Sequence, residues 1–177
     1  MRTSAAGGAW ITLDRAPRVV GIDPGTRVAG YAVIDFDARG EPSIVDAGVF
    51  RLSESASLAA RVLQLYDDTT ALLKEHAPTH MALEAVFSHP EHARAALQMA
   101  HGRGAVLLAA EQRGLPIAEL PPAEVKRALT GNGNAPKGQV QRAVMTQCAL
   151  ASLPEPPDVA DAIAIALCGG RRLRGVT

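Results

Sequence analysis

The chain of 177 residues has little of what marks several common protein classes. Its two cysteines, Cys148 and Cys168, fit no metal-ligand spacing, so a disulfide framework and a cysteine-based zinc site are excluded. No apolar run approaches the roughly 20 residues of a membrane-spanning helix. The N-terminus also lacks the apolar stretch of a secretory signal. We therefore expect a cytoplasmic protein with reduced thiols and no membrane partner.

Aromatic residues are scarce, with one Trp, two Tyr and three Phe, so the core must be built from Ala, Val, Leu and Ile. The length suits one domain with a hydrophobic core of its own. Residues 1–17 are rich in Ala, Gly and Arg and show no periodicity, which predicts a disordered extension. We expect a single domain over residues 18–170 and a short basic tail over 171–177.

Net charge is absent as well, because 18 Lys and Arg balance 18 Asp and Glu. The charges are unevenly distributed, however. Residues 125–147 contain basic side chains and no acidic ones, namely Lys126, Arg127, Lys137 and Arg142, and the C-terminus adds Arg171, Arg172 and Arg174. Such segregation can make one face attractive to phosphate in a neutral protein. The same pattern also occurs on ordinary solvated surfaces.

The apolar pattern changes along the chain between strand-like and helix-like periods. Segments 18–23 and 28–37 flank a PGTR turn and predict an antiparallel hairpin, which a third strand at 43–52 follows. Two further strands, one ending near Glu84 and one at 115–120, are expected to run parallel because a helix connects them. Helices are predicted over 57–76, 90–113, 121–129, 139–150 and 158–167, with a loop at 131–138. The pattern indicates one α/β domain.

What the chain does have is four carboxylates in apolar surroundings. Asp23 ends the run VVGID, Glu84 ends HMALE, and Asp158 and Asp161 lie in PDVADAIAIAL. Carboxylates are rarely buried unless they are paired or bind a metal. Asp158 and Asp161 are three residues apart and therefore share a helix face. Asp158 has a second interpretation, since an acid in the first turn of a helix favours the helix dipole.

Hard oxygen ligands of this kind select Mg²⁺ or Mn²⁺ rather than zinc. Two such ions about 4 Å apart can activate water on one side of a phosphodiester and stabilise the leaving oxygen on the other. The four carboxylates thus favour phosphoryl transfer or hydrolysis, although their spacing alone leaves the reaction open.

Four segments in this order carry a family resemblance: VVGIDPGTRVAGYAVID, ALEAVF, VKRALTGNGNAPKGQVQRAVM and PDVADAIAIAL. Together they resemble the RuvC-type crossover junction endodeoxyribonucleases from about residue 19 to residue 167. A similar GIDxGT turn occurs in sugar kinases and actin-like ATPases, whereas the lysine-bearing loop and the DxxDAxAxA ending are specific. Ala29, where Thr is usual, and Cys168, near a usual His, depart from the family pattern.

The resemblance implies a ribonuclease H-like fold, with a mixed five-stranded sheet flanked by helices. It implies a homodimer that binds four-way Holliday junctions, nicks two strands of like polarity symmetrically and works with the RuvA and RuvB branch-migration proteins in recombination and repair. The family's metal ligands fall on Asp23, Glu84, Asp158 and Asp161, with Mg²⁺ or Mn²⁺ as the expected cofactor. Its phosphate-binding lysines fall on Lys126 and Lys137, with Lys137 at the catalytic centre, and its base-stacking aromatic falls on Phe87. We also expect Arg127 and Arg142 to contact DNA.

Other interpretations of the same residues remain open. Lys137 could be an ordinary solvated loop lysine, and Phe87 could be a core residue. The chain could also be another ribonuclease H-like nuclease acting on DNA or RNA, or a nucleic-acid-binding member of the fold without activity. The intact set of four carboxylates argues against an inactive member.

Overall fold

A computed structural model of the chain describes residues 16–85 and 93–175. The predicted disordered extension lies almost entirely outside these residues. The strands are β1 (Arg18–Asp23), β2 (Val28–Phe36), β3 (Pro42–Arg51), β4 (His80–Glu84) and β5 (Ile117–Leu120). The helices are α1 (Leu58–His76), α2 (Ala93–Glu111), α3 (Pro122–Thr130), α4 (Lys137–Gln147) and α5 (Pro157–Leu173).

The five strands form one mixed sheet in the order β3-β2-β1-β4-β5. β1 pairs antiparallel with β2, and β2 antiparallel with β3, as the hairpin pattern predicts. β4 runs parallel to β1 on one side and to β5 on the other. The carboxyl ends of β1, β4 and β5 therefore meet at one edge of the sheet. The predicted mixed five-stranded α/β architecture is confirmed.

Helices cover both faces of the sheet and give it two hydrophobic cores. One core joins α3, α4 and α5 to residues such as Val19 and Ala82, and the other joins α1 and α2 to residues such as Val20 and Ile22. Neighbouring strand residues point to opposite faces. The central strands are consequently apolar at nearly every position, as parallel strands buried on both faces usually are. A polar side chain on these strands can reach solvent only at a strand end.

Both ends of α1 and the start of α5 lie within one residue of their predicted positions. Ser57 caps α1 by accepting a hydrogen bond from the Ala60 amide at 3.2 Å. Proline occupies the first position of α5, and Asp158 follows it in the first turn.

Among the described residues, no helix is long and apolar enough to cross a membrane.

The predicted end of α5 at Leu167, with a basic tail from residue 171, is wrong. The helix continues to Leu173, and Gly169 and Gly170 are buried within it. The arginines beyond them are tied to the domain: Arg171 donates to the Ala128 carbonyl at 2.6 Å, and Arg172 to the Glu119 carbonyl at 3.0 Å. These two side chains therefore belong to the folded domain rather than to a free basic tail.

The predicted loop at 131–138 is also two residues too long. α4 begins at Lys137, directly after Pro136, so Lys137 is a helical residue and not a loop residue. Proline in an extended conformation ends the preceding loop here, and the helix starts at once behind it. Lys137 therefore has a backbone fixed by α4.

Candidate functional site

Asp23 and Glu84 lie side by side at the carboxyl ends of β1 and β4. The parallel register pairs Ile22 with Leu83, and each carboxylate is the next residue on its strand. Both side chains are partly buried. This register brings the two strand-end acids to one edge of the sheet.

Two glycines allow α5 to bring Asp158 and Asp161 to the same edge. Gly30 of β2 is paired with Asp23, and a methyl group added to it would lie 2.1 Å from the Asp158 carbonyl oxygen. A methyl group on Gly21 of β1 would lie 2.4 Å from the carbonyl oxygen of Ala162. The helix backbone therefore rests directly on the strands at both places. Any larger residue would move the start of α5 away from the sheet.

Asp23 lies within electrostatic reach of the other three carboxylates, so the four side chains form one cluster. Burial, together with the charges of Asp161, Glu84 and Asp158, raises the pKa of Asp23 from 3.8 to about 7. Burial and the charge of Asp161 raise the pKa of Glu84 as well. A cation placed among these carboxylates would lower both pKa values again. The cluster therefore carries more negative charge than the surrounding protein balances.

Lys137 supplies part of the missing positive charge. Its Nζ atom lies 2.7 Å from Oδ2 of Asp161, and this hydrogen bond raises the pKa of the lysine. The charge of Lys137 lowers the pKa of both Asp23 and Glu84. The apolar side chains of Val140 and Val144 are buried against α5 and hold α4 in place. The partner that Asp161 needs therefore comes from 24 residues earlier in the chain.

Lys126 lies at the same site and acts on Glu84 rather than on Asp23. A cavity of about 220 Å³ is lined by Lys126, Lys137, Glu84 and Asp161 at its polar side and by apolar residues of α3, α4 and α5 elsewhere. The charge of Lys126 lowers the pKa of Glu84. Both lysines thus face the carboxylates from the α3–α4 side.

The other predicted DNA contacts lie elsewhere. Arg127 lines a separate depression with Cys168 and Arg172, and Arg142 lines an open groove on the exposed face of α4. Phe87 lies outside the described residues. The structure therefore groups the four carboxylates with two lysines, whereas Arg127 and Arg142 line other depressions of the surface.

One residue at this edge of the sheet was not anticipated from the sequence. Arg103 of α2 is buried, with 8% of its surface exposed, and donates to the main-chain carbonyl of Glu84 at 2.7 Å. Its second contact is an ion pair of 2.7 Å with Glu119 of β5. A lone arginine among small residues in HGRGA was the available signal.

The donor set suits a hard divalent cation, since four carboxylates converge and repel one another. Their present side-chain positions are not yet those of a metal cage. Within residues 16–85 and 93–175, no three His, Cys, Asp or Glu side chains are arranged to hold an ion. The ion pair between Lys137 and Asp161 explains this in part, because a cationic group already occupies one carboxylate. The residues fit a hard divalent cation by the chemistry of their oxygen ligands.

A mixed sheet flanked by helices, with acids at the ends of two central strands and on a final helix, defines a nuclease of the ribonuclease H-like class. The T. thermophilus RuvC in complex with Holliday junction substrate has the same fold, with a TM-score of 0.82 and 30% identity over 90% of this chain and 97% of that one.

The family described as "Crossover junction endodeoxyribonuclease RuvC" matches residues 19–169. A relative of that name from Halorhodospira halophila is 45% identical over 85% of this chain and 88% of its own length. Another, from Rhodopirellula baltica, is 44% identical over 85% and 84%. The chain belongs to the RuvC family. Dependence on divalent metal ions is general in this family.

Proposed function

We propose that the protein is a Holliday junction resolvase that nicks two strands of like polarity in a metal-dependent reaction during recombination and repair. The observation that carries this proposal is the cluster of four carboxylates and two lysines at one edge of the sheet in a RuvC-family chain. A relative of the same fold was solved with a Holliday junction as its substrate.

In this proposal Asp23, Glu84, Asp158 and Asp161 hold one or two Mg²⁺ or Mn²⁺ ions. Such ions, when bound, activate water and stabilise the leaving oxygen of the phosphodiester. The carboxyl group of Asp23 must be ionised to serve as a ligand, and its pKa of about 7 places that ionisation near neutral pH. Binding of a cation would lower this raised pKa.

Lys137 has a second task once a cation balances Asp161. Its ammonium group is then free to donate to a phosphate oxygen at the cut strand, while its backbone stays fixed at the first position of α4. Lys126, on the neighbouring helix, would contact an adjacent phosphate. Phe87, Arg127 and Arg142 are proposed to contact the junction further from the cut.

Symmetric cleavage requires two such sites. A homodimer with twofold symmetry would present one site to each of two equivalent strands. We propose this assembly, acting in the cytoplasm with the RuvA and RuvB branch-migration proteins.

The test is cleavage of a synthetic four-way junction with each strand labelled in turn, in Mg²⁺, in Mn²⁺ and in a chelator. We expect paired nicks only with metal, and their loss in Asp23→Asn and Glu84→Gln with junction binding retained. Asp67→Asn, an exposed carboxylate on α1, is the matched control and should cleave normally. Equal cleavage of plain duplex and junction would refute structure selectivity, and full activity of both site variants would refute the assigned site.

A further inference from the structure

Arg103 is unusual because an arginine is rarely buried this deeply. Its side chain is 10% exposed, and both of its described contacts lie at the edge of the sheet that carries the carboxylates. One guanidinium nitrogen donates to the carbonyl of Glu84 and another to the carboxylate of Glu119, each at 2.7 Å. The side chain therefore joins α2 to the ends of both β4 and β5.

The contact with Glu84 is made to the peptide group and not to the carboxylate. On the other side of the same peptide, the Ala85 amide donates to the Leu120 carbonyl at 2.8 Å. The peptide unit between Glu84 and Ala85 is thus held at its oxygen by Arg103 and at its nitrogen by β5. Since the direction of a side chain follows from its backbone, these two bonds fix the direction in which Glu84 leaves the strand.

The charge of Arg103 is paired with Glu119 rather than with the carboxylate cluster. The charges that act on the pKa of Glu84 are those of Asp161, Lys126 and Lys137. Arg103 is instead balanced by Glu119, whose side chain is 59% exposed. Arg103 thus holds the strand end without neutralising the carboxylate that a cation would need.

We propose that Arg103 is a positioning residue for Glu84, setting the backbone from which this carboxylate reaches the metal. The inference rests on the proposed function, in which Glu84 is a metal ligand. Partners that orient metal ligands typically contribute about 10- to 100-fold to metal affinity or activity. Removal of the Arg103 contact should therefore weaken metal binding while junction binding in the absence of metal is unchanged.

The experiment compares Arg103→Lys, Arg103→Met and Glu119→Gln with the wild type. Lys keeps the charge and can reach one of the two acceptors, whereas Met keeps only the apolar stem. Arg113→Ala is the matched control, because this exposed arginine, two residues after α2, donates instead to the Thr70 carbonyl of α1. Metal binding is measured by calorimetry on the metal-free full-length protein, and cleavage is measured against metal concentration.

A third readout needs neither metal nor DNA. Hydrogen exchange of the Ala85 amide, followed by NMR in chelator, reports the hydrogen bond to Leu120 directly. Exchange of the Met81 amide, bonded to the Pro116 carbonyl at 2.9 Å in the same strand pair, is the internal reference. We expect faster exchange at Ala85 and unchanged exchange at Met81 in the Met variant, with partial recovery in the Lys variant.

The expected order of metal affinity is wild type and Arg113→Ala highest, then Glu119→Gln, then Arg103→Lys, and Arg103→Met about 10- to 100-fold lower. Should the Met variant fail to fold, the Lys and Glu119→Gln variants decide the question. Wild-type metal affinity and Ala85 exchange in all the folded Arg103 variants would overturn the proposal. A wild-type protein that cleaves no junction would refute the proposed function, while the metal titration would still decide the role of Arg103.

Discussion

Replacing Asp23 by Asn removes one charge from the carboxylate cluster and leaves the size of the side chain nearly unchanged. In the wild type, the pKa of Asp23 is raised from 3.8 to about 7 by burial and by three neighbouring carboxylates. The folded protein therefore keeps a proton on Asp23 that the unfolded chain releases above about pH 4. Stability that depends on this proton is present below pH 4 and is lost as the pH rises towards 7.

The size of the effect follows from the pKa difference. Each unit corresponds to about 1.4 kcal/mol, so a difference of about three units amounts to about 4 kcal/mol. Asn does not titrate and loses none of this stability. In chelator the two proteins should therefore have similar free energies of unfolding at pH 4. At pH 8 we expect Asp23→Asn to be more stable by about 2 to 4 kcal/mol. The lower end applies because Glu84, whose pKa is also raised, can bind a proton and relieve part of the repulsion in the wild type.

The measurement is urea unfolding followed by circular dichroism at pH 4, 6 and 8, at one protein concentration and in chelator. Glu54→Gln, an exposed carboxylate before α1, is the control for removing one negative charge outside the cluster. Saturating Mg²⁺ or Mn²⁺ should cancel or reverse the order at pH 8. Metal at 100 times its dissociation constant stabilises the binding form by about 2.7 kcal/mol. A metal-free Asp23→Asn protein no more stable than wild type at pH 8 would refute the reasoning.

Two further predictions concern the surroundings of the cluster. Lys137→Met should reduce junction cleavage about 100-fold or more with binding retained. Because the lysine charge lowers the pKa of Asp23, its removal should also move the acid limb of the pH–rate profile to higher pH. Lys137→Arg should keep the limb in place, and an unmoved limb in the Met variant would contradict the assigned electrostatics. Gly30→Ala should cost at least about 1 to 3 kcal/mol of unfolding free energy and most of the cleavage, because the new methyl group meets the Asp158 carbonyl. Gly104→Ala, where an added methyl group meets nothing within 4 Å, should be neutral or stabilising by up to about 1 kcal/mol, and equal stability losses in the two variants would refute the close approach of α5.

The sheet and the strand-end acids were predictable because their signals are local. Alternation and the PGTR turn place Asp23 at the end of β1, and the helix between β4 and β5 requires a parallel pair. That Glu84 lies beside Asp23 follows from the parallel pairing of β1 with β4, which the local pattern does not predict. Hydrophobic period and turn chemistry thus place each acid at a strand end, but they do not place the two strands side by side.

The end of α5 was missed because consecutive glycines usually signal the end of a helix. Here they serve close packing: a methyl group on Gly169 would lie 2.6 Å from the Ala82 side chain, and one on Gly170 would lie 2.1 Å from the Phe36 ring. Whether a glycine ends a helix or lets another element approach depends on what packs against it. That information is tertiary, so the local pattern could not supply it.

The partners of the charged residues were also invisible to local reasoning. Asp161 has no basic neighbour in the sequence, and its partner Lys137 belongs to another helix. Arg103 lies in an Ala-rich helix, and nothing near it in the sequence indicates its contact with the Glu84 carbonyl. Ion pairs and side-chain to main-chain bonds across 19 or 24 residues are set by how helices dock, and the docking here is decided by small residues.

The same close packing that forms the core also produces the electrostatic strain at its edge. Gly21 and Gly30 let α5 lie directly on β1 and β2, which completes an apolar core and at the same time brings the first turn of α5 to Asp23. The helix cannot relieve the repulsion by moving outward without opening that core. The protein can lower the repulsion only by binding a proton, by keeping Lys137 against Asp161, or by binding an external cation. Because Asp23 titrates near pH 7, cation binding at neutral pH must release protons, which couples metal affinity to pH.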